Sequence, residues 1–153
     1  NTLDACKIAN EICRPKTGFK PYDKYFGPGI STGNNRFEFD NSTGEVDVVF
    51  NLVDVYSGFK VRAQYIRIGD NLIVENIPNG TYKIKLYKGK NWSSVLLMED
   101  GITNGGFLKN TNFEQITNNY RISRNSRISG IKFNVTNGGV DSKQIDQSTF
   151  FNK

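Results

Sequence analysis

The sequence contains no histidine, and only two of its 153 residues are cysteine. Histidine is the usual general acid or base near neutral pH, so serine and cysteine nucleophiles activated by an imidazole are excluded. Carboxylates remain at Asp47 and Asp54 and at the pair Glu99-Asp100, where strand ends and turns explain them better than catalysis does. We therefore predict that the protein is not an enzyme and that it has no catalytic residue and no cofactor.

Metal-binding patterns are also missing. The oxygen-rich segment DNSTGE, residues 40–45, lacks the ligand spacing of a calcium loop, and we predict a hairpin turn there instead. The two cysteines, Cys6 and Cys13, have neither a second cysteine pair nor a histidine to complete a zinc site. No metal site is expected.

The spacing of Cys6 and Cys13 leaves two interpretations open. On a regular helix they would lie about 10.5 Å apart along the axis, which exceeds the roughly 4.4–6.8 Å between the Cα atoms of a disulfide. The pair is therefore either a local disulfide in a non-helical segment or two free thiols on a short helix over residues 1–14. The export-like character of the remaining sequence favours the disulfide.

Long hydrophobic runs are absent as well. The longest, VVFNLV, is interrupted by Asn51, whereas a membrane-spanning helix needs about 20 apolar residues. The net charge is +5, but Arg121 and Arg127 would lie on one face of a strand and Arg124 on the other, so the basic residues do not form one patch. We expect neither a transmembrane segment nor a nucleic-acid partner. The only methionine is Met98, which predicts a chain processed at its N-terminus or cut from a longer one.

Short segments with a period of two make up most of the sequence from residue 35 onward. They are RFEFD, EVDVVFNLVDVY, FKVRAQYIRIG, NLIVEN, TYKIKLYKG, SSVLLME, NNYRIS and GIKFNV, separated by turn residues. This pattern predicts an all-β fold, an antiparallel β-sandwich of about seven to nine short strands. The segment EVDVVFNLVDVY is apolar at both parities, which is typical of a central strand, and we predict a buried core of Val48, Phe50, Leu52, Tyr82, Ile84 and Leu86.

Two segments do not follow this pattern. Residues 1–33 are predicted to form an N-terminal lead-in, an irregular aromatic segment with one short helix at most, that packs on a sandwich domain of residues 34–153. Residues 100–119, rich in Gly and Asn, are predicted to form the longest loop. The tail ends in Phe150 and Phe151, which we expect to pin it to the core.

Four aromatic residues are the candidates for a binding site. The lead-in carries Tyr22, Tyr25 and Phe26, and the single tryptophan, Trp92, is expected in a loop at a strand end. Rings of this kind either pack the lead-in and plug the edge of the sandwich or form a stacking platform for a ligand such as a sugar. Both interpretations remain open.

The segment FNLVDVYSGFKV and the turn Pro78-Asn79-Gly80-Thr81-Tyr82 resemble the transthyretin-like, carboxypeptidase-regulatory-like and collagen-binding B-type β-sandwiches. The resemblance covers about residues 44–88. More loosely, GFKPYDKYFGPG, IPNGTYKIKLYKGKNW and STFFN resemble surface and periplasmic proteins of Bacteroidetes-type bacteria. The resemblance implies a sandwich fold and a secreted, cell-surface or periplasmic location, but no particular ligand.

These observations favour a non-catalytic β-sandwich module that acts through contacts with a protein partner or a neighbouring subunit, in a larger surface protein or assembly. The alternative is a carbohydrate-binding or substrate-handling accessory module that uses Trp92, Tyr22 and Tyr25, with a glycan as its partner. Exposed lysines in TYKIKLYKGK would block strand pairing, so we expect that segment to be a hairpin on the outward face. The termini then either cover an edge of their own sheet or reach a neighbouring subunit.

Overall fold

A computed structural model describes residues 14–133 and 141–152, and within them the chain forms two β-sheets packed as a sandwich. The predicted all-β fold is thus confirmed. The predicted N-terminal helix and the Cys6–Cys13 pair lie outside the described residues. The strands are β1 (Asn35–Asp40), β2 (Asp47–Asp54), β3 (Lys60–Ile66), β4 (Asn71–Ile77), β5 (Gly80–Leu97), β6 (Asn104–Ile116), β7 (Tyr120–Ile122), β8 (Arg127–Lys132) and β9 (Ser142–Gln144), and the helices are α1 (Asp23–Phe26) and α2 (Gln147–Phe151).

The two sheets differ in size. The small sheet has the strand order β4-β1-β8, and the large sheet has the order β3-β2-β5-β6-β9, with β7 also paired to β5. All strand pairs are antiparallel except β1 with β8, which is parallel. A parallel pair needs a long connection, and here strands β2 to β7 lie between β1 and β8 in the chain and supply it.

The main core fills the space between the two sheets. Alternate side chains of β1, β2 and β5 point into it, as their period of two predicts. All six residues predicted from the sequence are at most 1% exposed, which confirms this part of the core: Val48, Phe50, Leu52, Tyr82, Ile84 and Leu86.

The opposite face of the large sheet is buried too. The lead-in and α2 cover it, and the side chains beneath them form an outer cluster made of Tyr22, Val49, Tyr65, Tyr87, Trp92, Met98, Phe107 and Phe150. This second layer explains why β2 is apolar at both parities, because both of its faces are covered. It also confirms that Phe150 pins the C-terminal tail to the core.

The lead-in follows the outer edge of β3. The backbone N–H of Gly18 donates to the Tyr65 carbonyl, and the N–H of Tyr65 donates to the Phe19 carbonyl, each at 2.7 Å. Further along, the N–H of Ile30 donates to the Val61 carbonyl at 3.0 Å. Of the two roles predicted for the lead-in, residues 15–33 therefore take the first and cover an edge of their own sheet.

Two predicted hairpins are wrong, because each connects strands of different sheets. The segment around Pro78 joins β4 of the small sheet to β5 of the large one, and residues 41–46 join β1 to β2 in the same way. The buried side chain of Asn41 holds the second connection by donating to the Val46 carbonyl at 3.0 Å. Nor is β5 an outward face, since it lies between β2 and β6 and its Lys85 is only 1% exposed.

The predicted loop at residues 100–119 is also wrong. Most of it is the 13-residue strand β6, which pairs with β5 along much of its length. Glycine and asparagine disfavour strands on average, but here close packing requires small residues. A side chain at Gly106 would come within 2.7 Å of the Met98 sulfur and of the Tyr87 hydroxyl.

Candidate functional site

All four sequence-predicted site residues come together in or beside the outer cluster. The ring of Tyr22 lies 6.0 Å from Trp92 and 5.5 Å from Phe26, measured between centroids. The Tyr22 hydroxyl donates to the Gly105 carbonyl at 2.7 Å, and burial raises the pKa of Tyr22 well above its ordinary value. The fourth residue, Tyr25, packs against the cluster, and its hydroxyl accepts from the Asn104 N–H at 3.1 Å.

These rings face one another rather than solvent. Tyr22 is fully buried and Trp92 is 5% exposed, and the Tyr65 and Trp92 rings pack edge to face with their centroids 5.5 Å apart. A ring that stacks on a sugar needs an open face, and neither Tyr22 nor Trp92 offers one. Their observed role is to pack the lead-in onto the large sheet, and ligand binding by Tyr22, Tyr25, Phe26 or Trp92 stays a prediction.

Trp92 lies within β5, not in the loop at a strand end that the sequence suggested. Tyr87 and Trp92 are five residues apart, so a regular strand would place them on opposite faces. Asn91 adopts a left-handed conformation with φ of 57°, and β5 and β6 change register close by. This irregularity brings Trp92 to the face that carries Tyr87, and no simple alternation in the sequence reveals it.

The end of the β5–β6 hairpin carries exposed apolar side chains. We define the hairpin patch as Val95, Leu97, Ile102 and Leu108, which are 53%, 56%, 71% and 42% exposed. Single exposed apolar residues are ordinary, but four on one hairpin form the kind of surface that marks an interaction site. The sequence analysis missed this patch because it assigned Val95 and Leu97 to a short strand and the other two to a loop.

The turn that presents the patch is firmly held. Asp100 accepts hydrogen bonds from the backbone N–H groups of Ile102 and Thr103, each at 2.8 Å, and from the Thr103 hydroxyl. These bonds lower the pKa of Asp100, and the bond from the Thr103 side chain has the largest effect. The N–H of Met98 also donates to the Thr103 carbonyl at 2.9 Å. The Ile102 side chain therefore projects from a turn with little freedom to collapse.

A groove of about 300 Å³ opens beside the hairpin patch. Leu97 and Leu108 of the patch form part of its wall, and Gln147 of α2 borders it. The remaining lining is mostly apolar and aromatic, with Tyr87, Leu96, Met98, Phe107 and Phe113. The protruding apolar side chains of the hairpin patch therefore lie next to an apolar groove.

The neighbouring edge of β6 is poorly suited to adding a strand. In the described parts of the chain, β9 pairs with β6 only at residues 114–116, so residues 104–112 have no partner strand on that side. This stretch includes Lys109, and Asn110 has a left-handed φ of 54°. Lysine and local backbone irregularity are devices that discourage edge-to-edge pairing. Contacts at this end of the molecule therefore depend on side chains.

Within residues 14–133 and 141–152, no helix has the length and apolar character needed to cross a bilayer. The resemblance to transthyretin-like sandwiches stays a prediction. Comparisons with protein-family models, with curated proteins and with solved structures find no match.

Proposed function

We propose that the protein is a non-catalytic β-sandwich module that works outside the cytoplasm and assembles with a neighbouring copy of itself through the hairpin patch. The observation that carries the proposal is the exposure of four large apolar side chains on one hairpin, with Ile102 71% exposed at its tip. Burial of such side chains is the main source of affinity in protein–protein contacts.

The arrangement of the patch favours a second copy as the partner. In a two-fold symmetric dimer, one surface must be complementary to itself. The hairpin end favours such a contact because Ile102 protrudes from the turn next to an apolar groove of about 300 Å³ whose wall includes Leu97. The described parts of the two terminal segments, residues 15–33 and α2, cover their own domain, whereas the hairpin patch stays exposed.

A location at the cell surface or in the periplasm is supported by the resemblance to sandwiches of surface and periplasmic proteins. The transthyretin-like assignment belongs to the same proposal.

Sedimentation velocity over a range of protein concentrations tests the assembly. We expect reversible dimerisation by the parent protein, and dimerisation weaker by at least about tenfold in the double variant Leu97→Ser/Ile102→Ser, since two apolar contacts are lost. Ile73→Ser is the matched control, because Ile73 is 50% exposed and lies on β4 of the small sheet.

Two results would contradict the proposal. The first is a parent protein that remains monomeric at every concentration. The second is an Ile73→Ser control that weakens association as much as the double variant does, since the loss would then reflect apolar surface in general and not the hairpin patch.

A further inference from the structure

A second cavity, of about 380 Å³, lies at an open end of the sandwich and is called here the mouth pocket. Its wall includes Glu45, Lys88, Asn110, Asn112, Glu114 and Phe133. It is separate from the hairpin patch, and the outer cluster contributes no side chain to its lining.

The register of β5 and β6 shows why polar groups face this space. Lys88 pairs with Asn112, and the core residue Leu86 pairs with Glu114. Directly paired residues share a face of a sheet, as do residues two apart in a strand. Lys88, Asn112 and Glu114 therefore continue the face that carries the main core, at positions where apolar side chains would be expected.

These polar groups are held in fixed positions. The Lys88 ammonium lies 2.6 Å from the Glu114 carboxylate and also donates to the Phe133 carbonyl. The Asn112 amide donates to the same carboxylate at 2.9 Å, and the Ser142 hydroxyl donates to its other oxygen. The lysine and glutamate side chains are only 16% and 10% exposed. A rigid, partly desolvated pair of this kind is a preorganised binding element.

Two further polar side chains line the pocket. Within the described chain, the side chains of Glu45 and Asn110 make no hydrogen bond with another residue, and both are exposed. Lys88 pairs with Asn112 and Lys90 with Lys109, so β6 holds one more residue than β5 at this point. This bulge contains Asn110, whose left-handed φ is 54°. Bulges often serve to redirect a side chain toward a site.

We propose that the mouth pocket binds a neutral saccharide. Sugar hydroxyls both donate and accept hydrogen bonds, and the pocket offers amide groups, a carboxylate–ammonium pair and a free carboxylate. Val48 and Phe133 supply an apolar wall for the C–H groups of the ring. The charged side chains that line the pocket are one lysine, Lys88, and two glutamates, Glu45 and Glu114, so its charge does not favour an anionic ligand. Its volume lies within the range of small-molecule sites.

Saturation-transfer NMR with the intact protein tests this proposal. The probes are lactose, cellobiose and N,N′-diacetylchitobiose at millimolar concentration, with glucuronic acid as the acidic counterpart. We expect saturation transfer to at least one neutral sugar and weaker transfer to glucuronic acid. Isothermal titration calorimetry then gives the affinity of the neutral sugar that binds.

The variants Asn110→Gly and Glu45→Ala should each weaken that affinity on the order of five- to tenfold, which corresponds to the loss of one hydrogen bond. Glycine tolerates the left-handed backbone, so Asn110→Gly removes the amide with little strain. Asn125→Gly is the matched control, since Asn125 is also exposed and left-handed, with φ of 64°. It lies just before the first residue of β8, whereas the pocket residue Phe133 follows the last.

Each alternative outcome overturns the proposal. No transfer to any neutral sugar, or preferred binding of glucuronic acid, excludes the proposed ligand class. Binding that survives both pocket variants, or that falls equally in the Asn125→Gly control, places the ligand elsewhere. These outcomes are independent of dimerisation, because the hairpin patch takes no part in the mouth pocket.

Discussion

Replacing Asp47 with asparagine should loosen the attachment of the lead-in to the large sheet. The Asp47 carboxylate accepts from Arg14 Nε at 2.7 Å, from Arg14 Nη2 at 2.6 Å and from the Ile68 N–H at 2.8 Å. It also accepts from the Tyr65 hydroxyl. Asparagine keeps the shape of the side chain but loses the charge and one acceptor, so Arg14, whose side chain is 15% exposed, loses its ion pair with residue 47.

The expected cost is about 2–4 kcal/mol in the free energy of unfolding. Breaking a fully buried ion pair costs about 3–5 kcal/mol, and an exposed pair contributes about 0–1 kcal/mol. The Asp47 and Arg14 side chains are 8% and 15% exposed, which puts this pair nearer the buried limit. Urea unfolding at neutral pH, followed by circular dichroism, measures the difference.

The pH dependence gives a second measure of the same interaction. Burial raises the pKa of Asp47, but the hydrogen bonds from Arg14, Tyr65 and Ile68 outweigh this effect and the pKa is lowered overall. A lowered carboxyl pKa contributes stability that is complete above the unfolded-state pKa of about 3.9 and is lost as the pH falls through the folded-state pKa. The gap between the parent and Asp47→Asn should therefore narrow in acid.

Glu99→Gln serves as the control, because it neutralises an exposed carboxylate near the hairpin turn and should change stability by less than about 0.5 kcal/mol. The reasoning would be refuted if Asp47→Asn unfolded at the same urea concentration as the parent at neutral pH. A gap that stayed constant down to strongly acidic pH would refute the electrostatic part of it.

Three further substitutions test the two cores. Phe50→Ala should lower the free energy of unfolding by about 3–5 kcal/mol, because Phe50 is fully buried and its ring stacks on Phe39 with centroids 4.4 Å apart. A loss below about 1 kcal/mol in urea unfolding would contradict its central position in the core. Burial, with Lys83 and Lys60 nearby, lowers the pKa of Lys85 to about 8. The unfolded chain therefore holds a proton on Lys85 that the folded protein has released. The Lys85 side chain should make stability rise with pH from about 8 toward 10, and Lys85→Met should lose this contribution. Gly80→Val should cost about 1–3 kcal/mol, because a Cβ there lies 3.1 Å from the Tyr82 ring, and an unchanged melting temperature would show that the site is not crowded.

The parts of the fold that depend on short-range alternation were predictable from the sequence. In β1 and β2, Phe37, Phe39, Val48 and Phe50 follow the period of two, and all are buried. Apolar residues at both parities also indicated that β2 is central, but they did not show that the lead-in and α2 cover its second face. Local sequence carries the period but does not specify the distant segment that packs against it.

The candidate site was harder to predict because its strands are irregular. Left-handed residues at Asn91 and Asn110 break the alternation in β5 and β6, so these segments look like loops. Lys85 looks like a surface residue, but it is buried, and its ammonium donates to the Thr149 carbonyl at 2.6 Å. That partner is 64 residues away in the chain, and no local pattern anticipates it.

Hydrogen–deuterium exchange at low and high protein concentration tests the central claim, that the hairpin patch carries assembly, most directly. If two copies meet there, amides of residues 98–108 should exchange more slowly at high concentration, while those of β4 (Asn71–Ile77) on the small sheet should not change. The claim would be contradicted by hairpin amides whose exchange does not depend on concentration, or by new protection that appears only on the small sheet.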